Sequence, residues 1–222
     1  MSLQEFRSLL EAETRKAGVG LRRAVLDRLE GHYRLLVKWN RAVRLVGDTN
    51  PQIVVRRHLM ESLALLPFIP EPQGSLLDIG SGNGYPAIPL KCALENLRVG
   101  MLEPTMRKSV FLATVTQELG LEHCEVLRAR VDRPSDLGRL GRWDCITMRG
   151  VAAIPAVMAG APGALRPRGR VLFMVGEAGR SEIIRRLVAP LELVACHTMP
   201  ATDSSYIVVV GMASSTAGDT IH

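Results

Sequence analysis

Cysteine is scarce and scattered in this chain. Cys92, Cys124, Cys145 and Cys196 include no C-x-x-C pair, so neither a zinc site nor a secreted disulfide framework is signalled, and reduced thiols are expected. Long apolar runs are missing too. Nothing approaches the roughly 18 residues that a membrane-spanning helix needs. The opening residues, Met1 to Arg7, lack the basic-then-apolar order of a secretion signal. A soluble, cytoplasmic protein with no membrane partner is the expectation. Aromatic residues are few, at two Trp, three Tyr and four Phe, and no internal repeat is visible. What remains is 222 residues, 47% hydrophobic, with 20 Gly and 13 Pro, which fits one large globular domain with a small appendage and excludes a disordered or fibrous chain.

The charge is uneven. Residues 1–70 hold 12 Lys+Arg against 7 Asp+Glu, whereas the rest holds 16 against 15. A basic N-terminal region beside a balanced core suits contact with a polyanion, though a solvated helix face reads equally well. Ser2 with Glu5 forms a capping-box pattern, and Leu3, Phe6, Leu9 and Leu10 form one stripe, so a helix is expected over 3–17, closed by Gly18. A second helix follows from Leu21, with Val25, Leu29, Tyr33 and Leu36 on one side and its arginines largely off it. Asn50 then Pro51 starts a third helix, which ends near Pro67.

From Ser75 short apolar runs alternate with helical stretches. Leu76–Ile79, Leu97–Leu102, Cys124–Ala129, Asp144–Met148 and Arg170–Val175 read as strands, with helices over Pro86–Leu94, Met106–Leu119 and Ile154–Leu165. That alternation predicts an α/β fold with a mostly parallel sheet and helices on both faces. The last runs, Leu191–Met199 and Tyr206–Val210, suit an antiparallel pair with a turn at Asp203–Ser205. The division is therefore 1–70 helical and basic, 71–212 the α/β core, and 213–222 a flexible tail.

One segment carries chemistry. Leu76 to Pro86 runs strand, glycine-rich turn, proline-started helix, the place where open α/β sheets bind ligands. Its spacing is G-x-G-x-G at Gly80, Gly82 and Gly84, with Tyr85 where a dinucleotide fold wants its third glycine. Asp78 at the strand end suits a ligand ammonium and not a pyrophosphate. Both points favour S-adenosylmethionine over NAD. Glu103, ending the second strand, suits the two hydroxyls of a ribose, against the alternative of a carboxylate paired with Arg107 or Lys108. Val131 and Asp132 follow the third strand, where an adenine edge belongs. Arg149 ends the fourth and places a cation at the pocket mouth. Arg130 and Arg149 otherwise read as salt-bridge partners of Asp132 or Asp144.

These residues resemble a family, the bacterial 16S ribosomal RNA guanine-N7 methyltransferases, or glucose-inhibited division protein B family, over about residues 30–176. The matching motifs are Lys38-Trp39-Asn40 with Arg44-Leu45, Arg57-His58-x-x-Glu61-Ser62, the glycine loop from Leu77 through Pro86-x-Ile88-Pro89-Leu90, Arg107-Lys108-x-x-Phe111-Leu112, Arg130-Val131-Asp132, and Arg149-Gly150. The resemblance implies a Rossmann-like class I methyltransferase with a seven-stranded sheet under an N-terminal helical cap. It also implies cofactor contacts at Gly80, Tyr85, Val131, Asp132 and Arg149. The chain departs from the family pattern at Glu61 for Asp, Val175 for Lys and Ser205 for Arg, and the last two remove cations the resemblance would assign to RNA.

Guanine N7 carries an in-plane lone pair and needs no base to expose it. The expected catalytic residues are then orienting groups, Arg130 and Arg149, with no metal. The partner is 16S ribosomal RNA or the small subunit, and the protein acts as a monomer. Trp39, Tyr33, Tyr85 and Trp143 are the aromatics available for stacking, with Trp39 and Trp143 read as core. His58 reads as a bridge from the third helix to the glycine loop. Methyl transfer to a protein or small molecule, a non-catalytic cofactor-binding RNA module and, more distantly, an oxidoreductase are the alternatives.

Overall fold

The computed structural model describes residues 3–42, 45–150 and 152–213. Ser2 of the expected capping box, Arg44 and the tail from 214 lie outside the described residues. Helix α1, Leu3–Lys16, buries Phe6, Leu10 and Thr14, and Gly18 ends it at φ +69°. Helix α2, Arg23–Asn40, packs on it through Leu29, Tyr33 and Leu36, with the Phe6 and Tyr33 rings stacked at 4.0 Å. The third helix begins as the sequence predicts, with the Asn50 side chain accepting from the Gln52 N–H and Pro51 in the first turn. It is not uniform. Pro51–Ile53 (α3) passes into a π-helical stretch, Val54–Met60, and returns to α at Glu61–Leu63 (α4). Such widened turns often lie at functional sites, and this one holds Arg57 and His58.

The sheet has seven strands in the order β3-β2-β1-β4-β5-β7-β6. They are β1 Ser75–Ile79, β2 Arg98–Leu102, β3 Cys124–Leu127, β4 Trp143–Arg149, β5 Leu165–Gly176, β6 Leu191–Met199 and β7 Thr202–Met212. The first five are parallel, and β7 runs antiparallel between β5 and β6. Alternation along each strand feeds two cores. Leu76, Met101, Cys145, Leu172 and Val209 face the cap together with α5 (Ala87–Ala93) and α6 (Met106–Glu118). Leu77, Leu102, Ile146, Phe173 and Val208 face α7 (Pro134–Gly138), α8 (Ile154–Ala164) and α9 (Glu177–Arg185) on the other side. Helices thus cover both faces, as the alternation predicts. Trp39 meets Phe111 edge-on, and Trp143 is buried with its N–H on the Leu140 carbonyl, both as packing residues.

Helices α7, five residues long, and α9, which buries Ile183 alone, carry too little apolar pattern to be expected from the sequence. The turn expected at Asp203–Ser205 lies at Pro200–Ala201. Asp203–Ser205 are strand residues of β7 at an irregularity in its pairing with β6, with Asp203 and Ser204 exposed and Ser205 opposite Gly176 of β5. Four of the N-terminal arginines are committed to carboxylates. Arg7 binds Glu11, Asp27 and Glu30, Arg22 and Arg28 share Glu95, and Arg56 holds Glu13. Among the described residues no helix is long and apolar enough to cross a membrane.

Candidate functional site

Strand order reverses direction between β1 and β4, and the carboxyl ends of the strands there open a crevice of 510 Å³. That size falls within the range of about 300–1,000 Å³ usual for small-ligand sites. Its floor is the first half of the glycine loop, Gly80 and Gly82, and its sides come from Glu103, Val131, Asp132, Arg130 and Arg149, with Pro155 and Ala156 of α8 closing it.

Glu103 is the best-held acid in the crevice. Only 4% exposed, it accepts from Gly82 N–H at 3.0 Å through Oε2 and from Thr105 N–H at 2.8 Å through Oε1. The pairing with Arg107 or Lys108 weighed from the sequence does not form. The loop itself is pinned to β2, with Gly80 and Ser81 N–H both donating to the Leu102 carbonyl.

The second half of the loop belongs to the cap. A Cβ on Gly84, whose φ is +93°, would lie 2.6 Å from Ile88 Cγ1 and 3.3 Å from the His32 ring, so only glycine fits there. His32 Nε2 is 2.9 Å from the Asn83 carbonyl, and the Tyr85 ring lies between His32, at 4.9 Å, and His58, stacked at 5.0 Å. Gly84 and Tyr85, expected at the cofactor, do not line the crevice. His58 bridges the third helix to the loop as read from the sequence. His32 was missed, since one histidine among the leucines of an amphipathic helix gives no signal. Burial keeps both imidazoles neutral, each lowered to about 4, with the Arg149 and Arg57 charges adding to the effect at His58.

Asp78 lies one layer behind the crevice, 1% exposed, and accepts from Thr147 Oγ1 at 2.7 Å. Burial raises its carboxyl to about 6. Arg149 is not the free cation expected at the pocket mouth. Its Nη2 donates to the Arg57 carbonyl at 2.7 Å and to Glu61 Oε2 at 2.5 Å, which joins the R-H-x-x-E-S motif to the end of β4. Burial raises Glu61 and lowers Arg149, each opposed by the other's charge. Arg130 sits exposed at the rim with its Nε 3.1 Å from Asp132, the surface pairing that stood as its alternative reading.

Asp78 Oδ2 and Arg149 Nη1 are buried without a partner among the described residues, and each group feels the other's charge. An α-amino acid end, ammonium plus carboxylate, is what this donor and acceptor set lacks. Glu103 beside the loop suits a ribose diol. The residues present therefore fit S-adenosylmethionine.

Comparison with known proteins agrees with this geometry. The family described as rRNA small subunit methyltransferase G matches residues 25–194. A Ribosomal RNA small subunit methyltransferase G from Halorhodospira halophila is 32% identical over 195 residues, covering 88% of this chain and 90% of that protein. One of the same description from Geobacter sp. is 31% identical over 94% of this chain and 99% of its own length. Among solved structures, a SAM-dependent methyltransferase from Aquifex aeolicus superposes with TM-score 0.57 at 13% identity, covering 74% of this chain and 94% of that one. The chain of a fibrillarin/Nop5p complex gives 0.59 at 15%, covering 77% and 88%. Identities this low speak for the class I methyltransferase fold alone.

Proposed function

The chain belongs to the rRNA small subunit methyltransferase G family, and on that premise we propose that it methylates guanine N7 in 16S ribosomal RNA using S-adenosylmethionine. The observation that carries the reading is the crevice in which Glu103 braces the glycine loop beside an Arg149 held by Glu61. Bound there, the cofactor supplies an electrophilic methyl group. Gly80, Gly82, Glu103, Val131, Asp132 and Arg149 hold it from the crevice wall, Asp78 in the layer behind takes its ammonium, and Gly84 and Tyr85 support the loop.

The chain's own task is positioning. N7 of guanine presents its lone pair at neutral pH, so the site must orient a base and exclude water and need not take a proton. In an A-form helix N7 lies in a deep, narrow groove, so the target guanine is unpaired or extruded. Arg149 orients that base. A methylated ring gains positive charge, which a bare cation would oppose, and Glu61 at 2.5 Å offsets the arginine's charge. Arg130, exposed at the rim, takes a phosphate. The proposed setting is the cytoplasm, where the small subunit is. The proposed unit is a single chain, since one chain's residues build the whole crevice.

The test is transfer of labelled methyl to small subunits from cells lacking the modification, followed by nucleoside analysis. Labelled N7-methylguanosine is expected. Label in protein alone, or cofactor binding with no transfer to RNA, overturns the reading.

A further inference from the structure

Beside the crevice lies a second and larger concavity. A groove of 650 Å³ runs between the end of α1, the π-helical turn and the β6–β7 turn. Lys16, Arg56 and Arg57 line it against one carboxylate, Glu13, which Arg56 already holds at 2.8 Å. The opposite wall, Pro200 and Ala201, carries no charge. Two positive charges are left over in a concave surface, which suits phosphate far better than a solvated helix face does.

Arg57 ties this groove to the crevice. Among the described residues its exposed guanidinium forms no hydrogen bond or ion pair, its charge being felt at Glu61 only through space, while its main-chain carbonyl accepts from Arg149 Nη2 at 2.7 Å. Two residues of one helical turn therefore separate the two concavities, Arg57 facing one and Glu61 binding the cation of the other. A base delivered to the crevice must leave its flanking phosphates close by, since extrusion turns a nucleotide about its own backbone.

We propose that the groove lined by Lys16 and Arg57 binds the sugar-phosphate backbone flanking the target guanine, with Arg57 linking that contact to Arg149. The inference rests on the RNA methyltransferase reading and adds where the strand runs. It is narrower than the expectation of a general basic cap, because it assigns the contact to one groove beside Arg149.

The test measures steady-state methylation of naked small-subunit RNA at several salt concentrations, with adenosylhomocysteine binding measured in parallel. The double variant Lys16→Ala/Arg57→Ala should raise KM for RNA about tenfold. Its log-log salt slope should fall by about 0.7 for each cation removed. kcat and adenosylhomocysteine affinity should stay within about twofold. Arg57→Lys in an otherwise native chain should keep the wild-type slope, as a phosphate contact allows. Lys16→Ala alone, at an exposed helix end, gives half the change should the double variant fold poorly. Arg142→Ala, at the opposite end of the sheet, is the control and should change nothing.

Unchanged KM and slope in an active double variant overturn the inference and leave the enzyme reading standing. A change seen with assembled subunits and not with naked RNA assigns the groove to a subunit protein and also overturns it. Absence of any transfer by wild type to naked RNA and to assembled subunits alike removes both readings together.

Discussion

The two halves of the glycine loop do different work, although five residues span all three glycines. Gly80 and Gly82 face the crevice, where Gly82 N–H is held by Glu103. Asn83, Gly84 and Tyr85 face the cap, where His32 and His58 grip them from two separate helices. One half binds and the other anchors. The difference teaches that the cap is not an appendage resting on a finished methyltransferase core. It supplies one wall of the packing that sets the loop's shape, and through Glu61 it also fixes Arg149. Cofactor site and cap should therefore fail together when the anchoring half is disturbed, and separately when the binding half is.

Gly84→Ala tests the anchoring half most severely. The new Cβ meets the buried Ile88 side chain at 2.6 Å and the buried His32 ring at 3.3 Å, at a φ of +93° that alanine rarely adopts. Strain and overpacking together should cost about 4 kcal/mol, read as a drop in urea midpoint at constant m-value. Cofactor affinity should fall with it. Full stability with weak cofactor binding would contradict the division of the loop.

Acidification should act on the same half. A histidine buried neutral, lowered from its ordinary value of 6.5 to about 4, stabilises fully above 6.5 and loses that contribution as pH falls toward 4. Asp78 has the opposite sign. Raised from 3.8 to about 6, it favours the folded state as pH falls through that window. Glu61, also raised by burial, adds to the same side. Between pH 7 and 4.5 the two histidines lose more than Asp78 gains, roughly 3 kcal/mol net. His58→Phe keeps a ring against Tyr85 and should remove about half of the histidine part, as chemical denaturation at the two pH values will report.

Glu103→Ala tests the binding half. Loss of the ribose contact should weaken adenosylhomocysteine about a hundredfold, since hydrogen bonds to a charged group contribute about 1.5–3 kcal/mol each. The cap should stay folded, with the histidine part of the pH dependence of stability retained. Loss of the cap's cooperative unfolding would mean that Glu103 anchors as much as it binds.

Much of this was legible in the sequence. The alternation of short apolar runs with amphipathic stretches carried the parallel sheet because each strand is buried on both faces, as β1 is at all five residues. The loop, Glu103 and the pair of Val131 and Asp132 were readable because they follow strands at the switch point, where chain order alone fixes their place. What was not legible depended on partners distant along the chain. Nothing near Arg149 announces Glu61, 88 residues earlier, as its partner. Nothing in the cap's arginine count shows that Arg7 is shared by three carboxylates. The two halves of the loop look alike in sequence, and only the histidines from α2 and the π-helical turn separate them.

Tyr85 is where the comparison is finest, and its expected effect is the smallest. The family resemblance implies a cofactor contact there, yet the ring is enclosed between two imidazoles and its hydroxyl is buried with no partner among the described residues. Burial raises its ionisation well above the ordinary tyrosine value, so the group is a neutral phenol at any working pH. Tyr85→Phe removes a hydroxyl that forfeits its hydration without compensation. The variant should be as stable as wild type or more stable by up to about 1 kcal/mol. Adenosylhomocysteine affinity should not move, because the main chain and the ring both remain. A hydroxyl that reached the cofactor would give the reverse pattern, with affinity down about tenfold and stability unchanged. Calorimetry and a urea titration on one variant therefore decide whether residue 85 belongs to the anchoring half or to the binding half.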